Sequence, residues 1–352
     1  MPFRPWPAYG GRQHVYEVTV MLKQTGSAES LCLDCVVEIF HKPKKAGGED
    51  AFAYHLNRQA LHAQAVFDGC GGSGAWKYAE YRNATGAFIA AHSMAKAFLT
   101  WFDTVTPNSL NEGIGTVAES FRKMAKKTLS DLKKQCAPMR VLGSLVKNFP
   151  CTASISFVSQ KDGHPQLSAF NAGDSRVYIL FPSKGLIQLT TDDLLGNPDP
   201  LENLRDSAPH TNQLDADSDF VINTLQLEMP LPCAVLCATD GAFGYVRSPM
   251  DFVFMLLDEL MHANSFSAFE ESLTARIAAT AGDDVTCLMS FYGWGGIENV
   301  KRLLTGRYQY IVTIIRKLDS AMETDRFEDV LETVWNEYKK QTLYSETWGH
   351  TN

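Results

Sequence analysis

Residues Thr152 to Thr191 read TASISFVSQKDGHPQLSAFNAGDSRVYILFPSKGLIQLTT, and this segment is the most informative about the fold. It contains four short runs rich in β-branched and aromatic residues, and clusters of Gly, Pro, Asp or Ser bound each run. Runs of this kind predict short strands joined by tight turns. The middle of the chain therefore forms a sheet.

Similar signals continue on both sides of this stretch. Strand-like runs lie at 31–40, 51–57 and 60–67, and later at DFVINTLQLE (219–228), AVLCATD (234–240) and DVTCLMSFYGW (284–294). Apolar residues recur at helical spacing over 73–102, 111–136, 249–263 and 267–280. Strands and helices occur in clusters rather than in regular alternation, which predicts an α+β fold with antiparallel sheets covered by helices.

The tail after about residue 296 differs from the rest. It reads as two helices, ENVKRLLTGRYQYIVTIIRKL (298–318) and RFEDVLETVWNEYKKQ (326–341), and the second carries an apolar stripe at Phe327, Val330, Leu331 and Val334. We predict a catalytic domain over 1–294 and a helical extension over 295–352 packed on it. The alternative is that a partner protein or a second copy of the chain covers the stripe.

Composition narrows the class of protein. The chain has 352 residues, of which 45% are hydrophobic and 20% charged, as in ordinary globular proteins. A formal net charge of -8 disfavours general nucleic-acid binding. No run approaches the roughly 20 apolar residues of a membrane helix, and the start lacks an apolar signal core. We therefore expect a cytoplasmic protein without a membrane or nucleic-acid partner.

The eight cysteines fit a reducing compartment. Most lie in strand-like runs such as LCLDCVV and CAVLCATDG, where a reduced thiol packs as a small apolar side chain. Cys32 and Cys35 form a Cys-x-x-Cys pair that redox or zinc chemistry could use, but no second pair at metal spacing accompanies it. Alternation in a buried strand is the favoured interpretation.

The candidate functional residues lie in short acidic motifs at strand ends. These are Gly-Glu-Asp at 48–50, Phe-Asp-Gly-Cys-Gly-Gly at 67–72, Ala-Thr-Asp-Gly at 238–241 and Gly-Asp-Asp-Val-Thr at 282–286. Any one of them could be a turn with a solvated carboxylate. Carboxylates that end several strands can instead converge on a hard divalent cation, which prefers oxygen ligands. The set as a whole indicates a metal site.

Five sequence motifs, taken together and in this order, are more specific than any one of them. They are GEDA (48–51), VFDGCGG (66–72), NAGDSRVYIL (171–180), CATDGAFGYV (237–246) and GDDVTCLMSFY (282–292). Over roughly residues 30–293 the sequence resembles the metal-dependent protein phosphatase family, the type 2C serine/threonine phosphatases. The resemblance implies a sandwich of two antiparallel sheets flanked by helices. It also implies a centre of two Mn²⁺ or Mg²⁺ ions that hydrolyses phosphoserine and phosphothreonine in a phosphorylated protein substrate.

The resemblance assigns ligands for the first metal ion. Asp68 would bridge both ions, and the carbonyl oxygen of Gly69 would bind one of them. Glu49 or Asp50 would hold that same ion, either directly or through water.

The second ion and the phosphate have implied partners of their own. Asp240 and Asp283 would hold the second ion, while Asp284 stands where the family usually has Asn. An exchange of roles between Asp283 and Asp284 stays open. Lys45 takes the family's phosphate-binding position, which is normally Arg, so Asp68, Asp240 and Lys45 are the implied catalytic residues.

Three departures from the family pattern bear on activity. Lys45 cannot form the bidentate contact of an arginine with phosphate. Cys70 stands where animal members have a histidine, and Lys147 or Asn148 stands where a third metal site has an aspartate. These departures keep a second hypothesis open, in which the chain is a pseudophosphatase that acts as a binding or regulatory module.

Other parts of the five motifs carry weaker hypotheses. A third hypothesis is a serine or cysteine hydrolase that uses Ser175 or Cys70 as its nucleophile. No histidine is placed to act as the base, so this hypothesis is much weaker than the phosphatase and the pseudophosphatase. We expect Asp174 and Arg176 to form a buried ion pair within the turn. The polar stretch 192–218 is expected to be loop-like and to contribute to substrate selection.

Overall fold

The computed structural model describes residues 31–43, 48–57, 61–137, 146–196, 199–205, 208–322 and 324–342. Within these ranges the strands are β1 (Leu33–His41), β2 (Ala51–Asn57), β3 (Leu61–Phe67), β4 (Lys77–Tyr78), β5 (Ala84–Thr85), β6 (Ala153–Lys161), β7 (His164–Ala172), β8 (Arg176–Phe181), β9 (Gly185–Gln188), β10 (Asn223–Glu228), β11 (Cys233–Ala238) and β12 (Val285–Tyr292). The helices are α1 (Gly86–Phe102), α2 (Pro107–Gln135), α3 (Glu202–Arg205), α4 (Pro249–His262), α5 (Phe266–Ala278), α6 (Ile297–Met322) and α7 (Phe327–Thr342).

Ten of the strands form two antiparallel sheets. One has the order β1-β12-β11-β8-β9 and the other β10-β7-β6-β3-β2. Apolar residues on their inner faces pack against each other. Helices α4, α5, α6 and α7 pack with the first sheet, and α1 and α2 cover the second. The predicted α+β sandwich is confirmed.

A buried polar contact ties the two sheets together. The Nε2 of Gln64 on β3 donates to the carbonyl oxygen of Val235 on β11 at 2.9 Å, and Ser290 on β12 donates to the Oε1 of Gln64 at 2.7 Å. A buried amide with both ends satisfied favours one register over its neighbours. The contact therefore fixes β3 relative to β11, the strands that run into Asp68 and Asp240.

The helix predicted from residue 73 begins later than expected. Residues 77–85 form the short β4–β5 pair, and α1 starts at Gly86. Arg82 and Asn83 have φ angles of 57° and 62°, a left-handed conformation that cannot continue a right-handed helix. Thr85 then caps α1 by accepting a hydrogen bond from the amide of Phe88 at 3.2 Å.

The two tail helices bury apolar residues on the rest of the chain. Leu331 and Val334 join the core beside the first sheet together with Trp335 and Tyr338, while Phe327 is partly buried there. Polar contacts with Asp199 also hold α7 in place. The two carboxylate oxygens of Asp199 accept hydrogen bonds from the Nε1 of Trp335 and the Nζ of Lys339. None of the helices in the described ranges combines the length and apolar character needed to cross a membrane.

Candidate metal centre

Three aspartates meet at one end of the sandwich because of strand pairing. Asp68 directly follows β3, and Asp50 directly precedes β2. Since Ala51 pairs with Phe67 in the antiparallel ladder, Asp50 and Asp68 lie side by side. Asp240 follows β11 in the other sheet, and the contact through Gln64 holds β11 against β3. The sheets thus deliver three carboxylates to one place.

Burial changes the protonation of all three carboxyl groups. Removal from water, with the charge of Asp240 adding to it, raises the pKa of Asp50 to about 8. Burial, followed by the charges of Asp174 and Asp283, raises the pKa of Asp240 to about 7. The pKa of Asp68 rises well above its ordinary value from burial and from the charges of Asp240 and Asp50. Such shifts favour the protonated form of each group when no cation is present.

The three carboxyl groups contact one another in sequence. Asp68 is hydrogen-bonded to Asp50 on one side and to Asp240 on the other. A hydrogen bond between two carboxyl groups needs a proton that they share. In the absence of a cation, such a proton would offset the repulsion between neighbouring negative charges.

The acidic group fits divalent cations by its chemistry. Its donors are carboxylate oxygens and a nearby backbone carbonyl, which are the ligands that Mg²⁺ and Mn²⁺ prefer. Within the described ranges, no three Asp, Glu, His or Cys side chains are already arranged around a metal position. Since the carboxyl groups contact one another, a cation would separate them and displace the protons between them.

Glu49 lies next to this group and is oriented by two neighbours. The hydroxyl of Thr85, at the start of α1, donates to its Oε1 at 2.5 Å. The backbone amide of Glu49 donates to the Oδ2 of Asp284. Its carboxylate also lies against Gly71, where a β-carbon would collide with Oε2. Glu49 therefore sits in a fixed position between the 68–72 loop and the 282–286 loop.

The structure separates the environments of Asp283 and Asp284. Asp284 is 6% exposed, one of its oxygens accepts from Glu49, and the other, Oδ1, has no hydrogen-bond partner among the described residues. Asp283 is exposed, accepts from the amide of Asp284 at 2.9 Å, and its charge acts on Asp240. Asp283 thus faces the aspartate group, whereas Asp284 anchors the loop that carries Glu49.

The predicted phosphate-binding residue Lys45 lies outside the described residues. Lys42, which sequence reasoning missed, follows β1 and lies near the acidic group. Burial lowers the pKa of its ammonium, and the carboxylates of Asp284 and Asp50 act in the opposite direction. The pairing of His41 with Val285 places the end of β1 beside the start of β12, a register that the sequence alone does not reveal.

The expected ion pair between Asp174 and Arg176 is wrong. Arg176 instead binds Asp192, with 2.8 Å between Nε and Oδ1, because Asp192 follows β9, the strand that pairs with β8. Asp174 pairs with His210, whose Nε2 lies 3.0 Å from its Oδ1. Burial opposes the charged imidazole, but Asp174 outweighs it and raises the pKa of His210. His210 gave no motif by which sequence could find it.

The residues at the departures from the family pattern also have definite contacts. The Nζ of Lys147 donates to Ser218 at 2.5 Å and lies 3.7 Å from the Oδ2 of the buried Asp215. Asn148 donates to Asp217 at 2.9 Å. Burial, followed by the charge of Asp68, raises the pKa of the Cys70 thiol well above its usual value, which favours a packing role over a thiolate.

Sequence comparison gives no match, either among protein-family models or among curated proteins. Solved structures do match in fold. The serine/threonine phosphatase Stp1 from Staphylococcus aureus is 13% identical, with a TM-score of 0.57 over 76% of this chain and 97% of that chain. The serine/threonine phosphatase of S. agalactiae is also 13% identical, with a TM-score of 0.55 over 73% and 98%.

A third match is the serine/threonine phosphatase PstP/Ppp of Mycobacterium tuberculosis, at 14% identity and a TM-score of 0.50 over 74% of this chain and 98% of that one. These proteins share one fold, and this chain has it over nearly the full length of each. The predicted resemblance to the type 2C phosphatase fold is confirmed. At such identities the likeness establishes the fold, whereas activity depends on the residues of the site.

Proposed function

We propose that this protein is a metal-dependent phosphatase that hydrolyses phosphoserine and phosphothreonine in proteins. The observation that carries the proposal is the group of Asp50, which is buried, with the half-buried Asp68 and Asp240 at one end of a phosphatase-type sandwich. Three carboxyl groups in contact and largely withdrawn from water destabilise a fold unless protons or cations offset them. Such a cluster is typical of a ligand site rather than of a packing solution.

The chain offers a ligand set for two Mn²⁺ or Mg²⁺ ions. Asp68 would serve both ions. Asp50, the carbonyl oxygen of Gly69 and Glu49, the last through water, would complete one position, while Asp240 and Asp283 would hold the other. When bound, two such ions supply an activated water and offset charge on the phosphoryl oxygens.

Other side chains would position the ligands and the substrate. Thr85 and Asp284 hold Glu49 in place, so the first ligand loop keeps its shape before any ion arrives. Lys42, together with Lys45, would attract the phosphate dianion as point charges. The Nε2 of His210 lies 3.0 Å from the Oδ1 of Asp174, and this carboxylate raises the pKa of the imidazole, so a protonated His210 would add positive charge at the edge of the aspartate group.

The pseudophosphatase hypothesis has one structural observation in its favour. Lys147 or Asn148 stands where a third metal site has an aspartate, and both contact other parts of the fold: Lys147 contacts Ser218 and Asp215, and Asn148 donates to Asp217. The aspartate group outweighs this observation, because a pure binding module gains nothing from three mutually repelling carboxylates. A turnover measurement separates the two hypotheses.

The test is hydrolysis of a phosphothreonine peptide with Mn²⁺, with Mg²⁺ and with EDTA. We expect metal-dependent phosphate release by the wild type and none by Asp240→Asn. Asp219→Asn is the matched control, because Asp219 is an exposed carboxylate paired with Arg122 and Lys126, away from the cluster. A wild-type protein that binds the peptide but releases no phosphate with either metal would establish the pseudophosphatase instead.

A further inference from the structure

Tyr245 is an exposed aromatic residue held close to the aspartate group. It is 45% exposed and lies in the tight turn that begins at Asp240. The amides of Phe243 and Gly244 both donate to the carbonyl oxygen of Asp240, at 3.0 and 2.6 Å. This turn holds the backbone that leads to Tyr245 close to Asp240.

The ring of Tyr245 rests on the other acidic loop. At Gly282, which directly precedes Asp283, a β-carbon would lie 2.5 Å from the Cε1 and 3.0 Å from the Cζ of Tyr245. The backbone therefore supports the ring at a distance that only glycine permits. A ring supported on one side and still 45% exposed offers its remaining surface to solvent.

The electrostatics of Tyr245 place the ring at the rim of the same group. Burial of the hydroxyl raises its pKa, and the charges of Asp283, Asp240 and Asp68 add to the shift in that order. Three carboxylates from three separate segments, those that follow β3 and β11 and the one that precedes β12, thus act on one phenol. Tyr245 contributes a large, partly apolar surface beside an otherwise acidic group.

We propose that Tyr245 is a substrate-positioning residue whose exposed ring packs against the polypeptide that flanks the phosphorylated serine or threonine. The inference rests on the proposed phosphatase function and names the part of the substrate that the site would recognise beyond the phosphate. Aromatic side chains suit this role because they bring a large rigid surface at a small cost in conformational entropy. A phosphate ester without flanking residues would gain nothing from the ring.

The test compares two substrates, a phosphothreonine peptide with several residues on each side and the free amino acid phosphothreonine. For the peptide, Tyr245→Ala should raise KM about tenfold, the equivalent of about 1.4 kcal/mol of lost packing, with little change in kcat. Tyr245→Phe should restore the wild-type KM, since the ring surface carries the effect. With free phosphothreonine the wild type and Tyr245→Ala should be indistinguishable.

Leu231→Ala is the matched control. Leu231 is 46% exposed but lies at the opposite end of β11 from Asp240, so its loss should leave the peptide KM unchanged. A loss of the same size on both substrates would show that the ring only supports the 282–286 loop, which overturns the proposal. An unchanged peptide KM in Tyr245→Ala, or a Phe variant that behaves like Ala, overturns it as well.

A binding measurement distinguishes failure of this inference from failure of the phosphatase proposal. Fluorescence anisotropy of a labelled phosphothreonine peptide needs no turnover. If the wild type hydrolyses neither substrate but Tyr245→Ala binds the peptide about tenfold more weakly, the enzyme proposal fails while the role of Tyr245 stands. Equal peptide binding by the wild type and the variant overturns the role of Tyr245, whatever the activity.

Discussion

The backbone amide of Glu49 donates a hydrogen bond to the side chain of Asp284, a residue 235 positions further along the chain. The contact joins two acidic motifs and gives Asp284 a role of its own. Asp284 is buried and serves the loop of Glu49, whereas Asp283 is exposed and acts on Asp240. We therefore expect Asp284 to support the loop of Glu49 and Asp283 to serve as the metal ligand, and the open question of their exchange can be tested.

Asp284→Asn should retain activity, because an amide oxygen can still accept the hydrogen bond from Glu49. Asp283→Asn should lower metal-dependent activity or apparent Mn²⁺ affinity by about 100-fold or more. Loss of a residue that only supports a ligand already costs about 10- to 100-fold, and Asp283 is a proposed ligand. A Mn²⁺ titration of phosphothreonine-peptide hydrolysis measures both quantities. The reverse pattern, with Asp284→Asn inactive and Asp283→Asn active, would assign the metal ligand to Asp284.

Asp68→Ala should abolish metal binding at both positions, since Asp68 lies between Asp50 and Asp240. In the wild type, saturating Mn²⁺ should raise the Tm, because a ligand that binds only the folded state stabilises it and also relieves carboxylate repulsion. Calorimetric titration and thermal melts measure the two effects. Near-normal Mn²⁺-dependent turnover by Asp68→Ala would contradict the two-metal assignment, and Asp219→Ala serves as the control.

The stability of the metal-free protein should fall as pH rises from about 4 to about 8. The pKa of Asp50 is raised from 3.8 to about 8 and that of Asp240 from 3.8 to about 7, so in this window the folded state binds more protons than the unfolded chain. Folding is then favoured at low pH, and this contribution is lost as these groups ionise. Denaturant unfolding in EDTA at several pH values measures the slope.

Asp50→Asn and Asp240→Asn should each flatten this pH dependence, because an amide does not titrate. Mn²⁺ should flatten it too, since the cation replaces the protons that the folded state would otherwise hold. Asp219→Asn, which removes an exposed carboxylate, should leave it unchanged. A metal-free protein whose stability rises over the same window would contradict the raised pKa values.

Trp335→Ala in α7 should destabilise the protein by about 3–5 kcal/mol, the usual range for truncating a buried tryptophan. Trp335 is 3% exposed, and its ring nitrogen donates to Asp199 at 2.7 Å. Urea unfolding measures the loss, with the exposed neighbour Asn336→Ala as the control.

Truncation after Trp294 should likewise lower stability. A truncated protein that stays monomeric, soluble and fully stable would mean that the tail is a docking arm.

Local sequence patterns predict the two sheets and most of the helices because period and turn residues act over short distances. The helix from residue 73 is the exception, since the left-handed turn at Arg82 and Asn83 and the cap at Thr85 interrupt an otherwise helical composition. The placement of Asp50, Asp68 and Asp240 could be predicted as a group because each adjoins a strand end. Spacing alone could not say that they touch.

Contacts between distant segments could not be predicted from the sequence because they depend on how the strands pair. Arg176 binds Asp192 rather than Asp174 because β8 pairs with β9. His210 contacts Asp174 from a distant polar segment, and no sequence motif marks this histidine. Lys42 comes near Asp50 only through the register of β1 with β12. These partners depend on where strands meet, and a one-residue change of register would have given others.

Metal binding at the proposed centre would be coupled to proton release. The pKa values of Asp50 and Asp240 are raised to about 8 and about 7, so a cation that enters would displace protons from these carboxyl groups into the solvent. The apparent affinity for a divalent ion would then weaken as the surroundings become more acidic, even though no ligand is altered. The acidity of the compartment would thus set how much free metal is needed to fill the proposed centre.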